Sequence, residues 1–242
     1  MEIINNAFEK AKNSENIEEI NDFLIRLGEN PKEDYLILLD YFINETEKEK
    51  FEKIKLNITF VLGEIGRLTP ISIKYLQKLI DIYYTSDMWI RHEIVLAIDK
   101  ISKKTALDKK IITLLGNALN DNYLPVKISA LQTIKNIEIL PDSILIHFFR
   151  VINSKESEVL DLCRKILERV PLDKIFTLLN TSENYKVLKS RAIRTLLLIN
   201  FRSILNLEAF REKVFDSGWE NSYKEKFLKE IETLQRILLK TM

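Results

Sequence analysis

The sequence predicts an all-α fold: a right-handed α-solenoid of about five to six antiparallel helix pairs, with an N-terminal cap and a C-terminal amphipathic helix. Three observations predict it. The block Ile54, Lys55, Ile58, Val61, Leu62, Ile65 returns as Ile90, Arg91, Ile94, Ala97, Ile98, Ile101, and again as Val126, Lys127, Ala130, Thr133, Ile134, Ile137. Helix-period apolar patterning runs almost end to end. Gly and Pro number only 5 each, too few for a sheet protein built on tight turns.

The elements follow in order. Asn13, Ser14 and Glu15 offer a cap before Ile17, Ile20, Phe23, Leu24 and Leu27, and Gly28 fits a helix end. Pro31 starts the next helix, which carries Tyr35, Leu36, Leu38, Leu39, Phe42 and Ile43. Pro70, Pro141 and Pro171 open three more, and the segment from Leu107 to Leu119 is their counterpart. Each of these first helices precedes one copy of the repeated block, so the unit is two antiparallel helices.

Polar turns lead into the second helices: Ser86 and Asp87, Asn120 to Asn122, Asn153 and Ser154, Asn180 to Ser182. Such side chains cap a helix by accepting from its free N–H groups. Fainter copies of the block begin at Val159 and Leu188, so the spacing runs 36, 36, 33 and 29 residues. Ala97, Ala130 and Ala192 fall at one repeat position, where a small side chain lets helix axes approach to roughly 8–10 Å.

The reading gives one domain over 1–242, with a cap at 1–30, repeats at 31–201 and capping helices at 202–242. In the last helix Phe227, Ile231, Leu234 and Leu238 form a stripe that suits covering the final repeat.

Composition narrows the function. Hydrophobic content of 46% with 30% charge is that of a folded, water-compatible chain. Net charge is +1, which gives no general pull toward nucleic acid or anionic membrane. Charge is uneven, however. Residues 1–50 hold six basic and 13 acidic residues, a net of −7, leaving 31 basic and 23 acidic in the rest, a net of +8. The lone Cys163 rules out an internal disulfide and suits a reducing compartment. No N-terminal segment reads as a signal peptide and no apolar run approaches the roughly 20 residues of a membrane span, so a cytoplasmic location is expected.

The second-helix pattern, a β-branched residue followed by Arg or Lys and then small and Leu/Ile positions, resembles the HEAT-repeat (armadillo-type) family. Ser86-Asp87-Met88-Trp89-Ile90-Arg91 is its best copy, and Val61-Leu62-Gly63-Glu64-Ile65-Gly66 is similar to the end of a HEAT second helix. The resemblance covers roughly residues 30–200. It implies a concave face lined by second helices, and turn-to-helix ties at Asp87 with Arg91 and Asp121 with Lys127.

His92-Glu93 resembles one element of the di-iron HEAT hydroxylases, but the equivalent positions Leu56-Asn57, Ile128-Ser129, Asp161-Leu162 and Ser190-Arg191 cannot ligate as a set. No metal, cofactor or catalytic residue is therefore assigned, and His92 is expected at the surface. Trp89, Tyr83 and Tyr84 are expected to pack rather than to stack on bases.

Solvent positions of the second helices read Asn57 and Glu64; Glu93 and Lys100; Ser129, Gln132 and Asn136; Leu162, Lys165 and Arg169; Arg191 and Arg194. The row turns basic, which makes Lys165, Arg169, Arg191 and Arg194 the candidate partner-binding set. The expected function is a non-catalytic scaffold or adaptor that binds a partner protein, an acidic helix or tail, along this face. Two alternatives stand beside it. One is a nucleic-acid-binding or DNA-repair protein of the HEAT-like glycosylase type. The other is a structural subunit that docks through its C-terminal helix.

Overall fold

The computed structural model describes every residue except Met1, Arg202 and Met242, and the side chains of Glu2 and Thr241. Among the described residues the chain is helical, with no strand and 14 α-helices. They are α1 (Glu2–Lys12), α2 (Ile17–Glu29), α3 (Tyr35–Asn44), α4 (Lys48–Leu68), α5 (Ile73–Thr85), α6 (Met88–Ser102) and α7 (Lys109–Ala118). Then follow α8 (Leu124–Lys135), α9 (Asp142–Val151), α10 (Ser157–Leu167), α11 (Leu172–Thr181), α12 (Ser190–Asn200), α13 (Ile204–Asp216) and α14 (Asn221–Thr241). Odd-numbered helices are the first of each pair and even-numbered ones the second. This is the all-α construction of successive helix pairs that the repeat predicts.

The contacts gather into two units. One comprises residues 1–114 with 123–129, and the other residues 115–122 with 130–242. In the first unit α4 is the centre, since α2, α3, α5 and α6 all pack on it. Its repeated positions Ile54, Ile58, Val61, Leu62 and Ile65 have no exposed surface, nor do Ile94, Ala97, Ile98 and Ile101 of α6. Neither helix could bury both of its apolar faces alone, so the stack supplies the core.

Glycine sets how closely these helices approach. A Cβ built on Gly63 lies 2.9 Å from the Ala97 backbone and 3.0 Å from the Ala97 side chain, so α4 and α6 meet through two of the smallest residues. The helix end read at Gly28 comes one residue later, at Glu29, and Gly28 does not close it in a left-handed cap. Gly28 lies inside α2 without a positive φ, and a Cβ on it would stand 2.2 Å from the Phe60 ring. Its role is to seat Phe60 of α4. Asn16, not Asn13 or Ser14, caps α2, accepting from Glu18 N at 2.9 Å, while Ser14 Oγ accepts from Asn16 N.

The N-terminal segment read as a polar cap is itself a helix pair. Phe8 of α1 sits edge-on to Tyr41 and Phe42 of α3, and Phe23 of α2 joins them. Pro31 begins a turn rather than a helix, because Tyr35 N donates to Lys32 O before α3 starts.

In the second unit α14 packs on α12 and α13, with Phe227, Ile231 and Leu234 buried as the stripe predicts. A 3-10 turn over Glu183–Val187, unforeseen in the sequence, links α11 to α12. It buries Tyr185 in a stack on Trp219, with centroids 4.9 Å apart and rings 15° from parallel. Trp219 in turn touches Phe176 and Phe227 and donates from Nε1 to Asn180 Oδ1. This cluster accompanies the shortened 29-residue spacing.

Candidate functional site: the second-helix face

The N-terminus of α6 follows the sequence reading closely. Asp87 Oδ1 accepts from Trp89 N at 2.9 Å and Ile90 N at 3.1 Å, so it caps the helix. Arg91 Nη1 donates to Ser86 O at 2.9 Å, tying turn to helix. The other polar turns behave differently. Asn153 does not cap α10. Its Nδ2 donates to Val187 O and its Oδ1 accepts from Lys189 N, so it clamps the turn of the next pair.

Polar residues on neighbouring second helices are tied at the repeat distance. In the first unit Asn57 Nδ2 donates to Asn21 Oδ1 at 2.7 Å. Lys100 Nζ lies 2.9 Å from Glu64 Oε1, and Arg67 holds the other Glu64 oxygen at 3.1 Å. Burial raises the Glu64 carboxyl, but those two cations outweigh it and hold it below the usual carboxylate range. His92 is not a plain surface residue. It is half-buried, with Nε2 3.0 Å from Ser129 Oγ and its ring edge-on to Tyr123. Burial pushes its pKa down, favouring the neutral imidazole.

Glu93 stands apart. It occupies the repeat position of Asn57 and Ser129, yet makes no hydrogen bond or ion pair among the described residues, and its Oε1 is sealed from solvent without a donor. Burial pushes its carboxyl up, Lys100 opposes that, and Glu64 adds to it. Packing accounts for Tyr83, which is 4% exposed, but not for Trp89, which is 60% exposed with Tyr123 edge-on at 5.5 Å.

In the second unit Lys165 lies on α10, Arg169 just beyond its end, and Arg191 and Arg194 on α12; all four are exposed. Arg194 is already matched: Nε is 2.8 Å from Glu230 Oε2 of α14, a carboxylate only 6% exposed. Arg169 Nη1 donates to Ile137 O at 3.3 Å. Lys165 and Arg191 have no hydrogen bond or ion pair among the described residues, which leaves them the two available cations of the set. The Arg194 pairing carried a sequence signal, since opposite charges sit 36 residues apart there, as they do at Glu64 and Lys100.

Among the described residues no group of three or more His, Cys, Asp or Glu is placed to hold a metal ion, and no helix is long and apolar enough to cross a membrane. Cys163 is buried.

No family model matches the chain, and no curated protein matches it. Among solved structures it is similar to the designed armadillo repeat protein YIII(Dq)4CqI, at 14% identity and a TM-score of 0.49, over 93% of this chain and 98% of that one. It is also similar to the designed armadillo repeat protein YIII(Dq.V1)4CPAF in complex with the peptide (KR)4, at 12% identity and a TM-score of 0.47, over 93% and 98%.

Proposed function

We propose that this protein is a non-catalytic interaction scaffold of the cytoplasm that binds a partner protein along its second-helix face. The observation that carries the reading is the division of labour on that face. In each unit one side of the second helices is buried against neighbouring helices, while the other carries polar groups, some of them exposed. A surface preorganised in this way spends little ordering entropy on binding.

In the second unit the exposed groups are Lys165, Arg169, Arg191 and Arg194, and they fit an acidic helix or tail. Lys165 and Arg191 carry the attraction, because Arg194 is neutralised by Glu230 and Arg169 is held by a carbonyl. Exposed cations speed encounter with an anionic partner and make it sensitive to salt.

The test is a charge reversal at the two unmatched cations, Lys165→Glu with Arg191→Glu, assayed against an oligo-glutamate peptide at low and physiological salt. Binding falls at least about tenfold, and helicity and melting temperature stay near wild type. Reversal of Glu18 and Asp22, both exposed on α2, serves as the control. Equal binding by the cation variant and wild type would refute the site. Single- and double-stranded DNA form the competing arm: tight binding with a steep fall in salt would favour a nucleic-acid protein instead.

A further inference from the structure

We propose that the second-helix face of the first unit receives a cationic side chain of a partner polypeptide, an arginine or lysine, whose stem lies on Trp89 and Tyr123 and whose charge is met by Glu93. The proposal rests on the reading of the second-helix face as the binding face, and adds a second chemistry to it.

Glu93 is the starting point. A half-buried carboxylate without a donor costs free energy, and native folds rarely leave one unexplained. Its neighbours do not supply the missing charge. Lys100 is engaged by Glu64 at 2.9 Å. His92 is pushed toward its neutral form and bonded to Ser129. Asparagine or serine at this repeat position makes a polar tie to the preceding second helix, as Asn57 and Ser129 do. Glutamate makes none. The fold therefore gains no hydrogen bond or close ion pair from Glu93, only the attraction of a Lys100 already engaged by Glu64.

Trp89 supplies the independent observation. It precedes Glu93 by one helical turn on α6, so the two side chains share a face. Its indole is 60% exposed, and the tilted contact with Tyr123, at 63° between ring planes, leaves much of it uncovered. An exposed indole with a half-buried tyrosine against it, one helical turn from an unmatched carboxylate, suits one ligand chemistry: a long apolar stem ending in a cation. The ring faces attract the cation through their quadrupole and cover its methylenes, and the carboxylate neutralises it. A neutral apolar side chain would leave Glu93 unmatched, and an acidic one would be repelled by it.

The full-length chain is titrated with a short oligo-arginine peptide, an oligo-citrulline peptide of equal length and an oligo-glutamate peptide. Tryptophan emission is the readout, because Trp89 is exposed whereas Trp219 is 4% exposed and stacked under Tyr185. Oligo-arginine changes the emission and citrulline does not. Glu93→Gln, which keeps the shape, weakens oligo-arginine binding by about tenfold or more, and Trp89→Ala, followed by calorimetry because the reporting ring is gone, does the same. Equal affinity of Glu93→Gln and wild type overturns the proposal, and so does binding that leaves Trp89 emission unchanged. If oligo-glutamate binds and is lost in Lys165→Glu with Arg191→Glu, while oligo-arginine leaves Trp89 untouched, the proposal falls and the reading of the face stands. If neither peptide binds, both fall.

Discussion

Replacing Gly63 by alanine tests the stack at its closest contact. The new Cβ would lie 2.9 Å from Ala97 Cα and 3.0 Å from Ala97 Cβ, where ordinary carbon contacts are about 3.5–4.0 Å. Ala97 Cα is backbone in the middle of α6, so no rotamer change relieves the clash. The helices must part by roughly 0.5–1 Å, and that loosens the dry layer of Leu62, Ile65, Ile94 and Ile98. Overpacking of this kind costs about 1–3 kcal/mol, while removing a glycine from a helix interior returns about 1 kcal/mol. The expected net effect is a loss of about 0–2 kcal/mol, read as a lower urea midpoint by circular dichroism at 222 nm. Gly218→Ala is the control, since nothing lies within 4 Å of its Cβ and its φ is not positive. It should stay within about 0.5 kcal/mol of wild type. A Gly63→Ala variant more stable than wild type would refute the argument, because that is how an uncrowded helix glycine behaves.

Three further outcomes follow from the polar contacts. His147 Nδ1 accepts from Asn120 Nδ2 at 2.8 Å, its ring sits over Gly116, and burial with Arg150 nearby pushes its pKa below 6.5. The folded chain therefore takes this proton less readily than the unfolded one. Stability is full above pH 6.5 and lost as pH falls below it, and His147→Gln should flatten that slope in melting curves between pH 8 and 5. Glu93 works in the opposite sense. Its raised carboxyl binds a proton more tightly when folded, so wild type gains stability over Glu93→Gln as pH falls from neutral toward about 4.3; parallel melting curves for the two would count against the structure. Arg194→Ala leaves Glu230 buried and unpaired, at a cost of about 1–3 kcal/mol, part of which Glu230→Gln in the same chain should restore.

The helix pairs were legible because the repeat is written in residues that must be buried. Val126, Ala130, Ile134, Val159, Cys163, Ala192 and Leu196 are all 2% exposed or less, and such positions recurring at steps of 36, 33 and 29 residues have no other common source. What escaped depends on partners distant in sequence. Glycine near a helix end usually closes it, and only the Phe60 ring, 32 positions on, explains why Gly28 stays inside α2. The 3-10 turn after α11 is held by Tyr185 on Trp219, a contact that no local pattern announces. Trp89 was expected to pack because aromatics at helical spacing usually do. Its repeat equivalents, Lys53 and Pro125, are not core residues, and that register was the available signal for its exposure.

The same register separates scaffold from site. A polar residue on a second helix can bond to its counterpart one repeat away, and Asn21 with Asn57, Glu64 with Lys100 and Arg194 with Glu230 do so. Such ties fix the stacking of neighbouring pairs, and their charges are spent within the molecule. Sequence alone places Asn57, Glu64, Lys100 and Arg194 with Glu93, Lys165 and Arg191 as solvent positions of the second helices and cannot tell spent from unspent. The structure can, because a residue whose charge is matched at 2.8–2.9 Å has little left for a partner, whereas Glu93, Lys165 and Arg191 lack such a match among the described residues. Binding residues on a repeat stack are therefore best sought where the inter-repeat tie is missing. By that criterion the first unit offers an unmatched carboxylate beside an open indole, and the second offers unmatched cations.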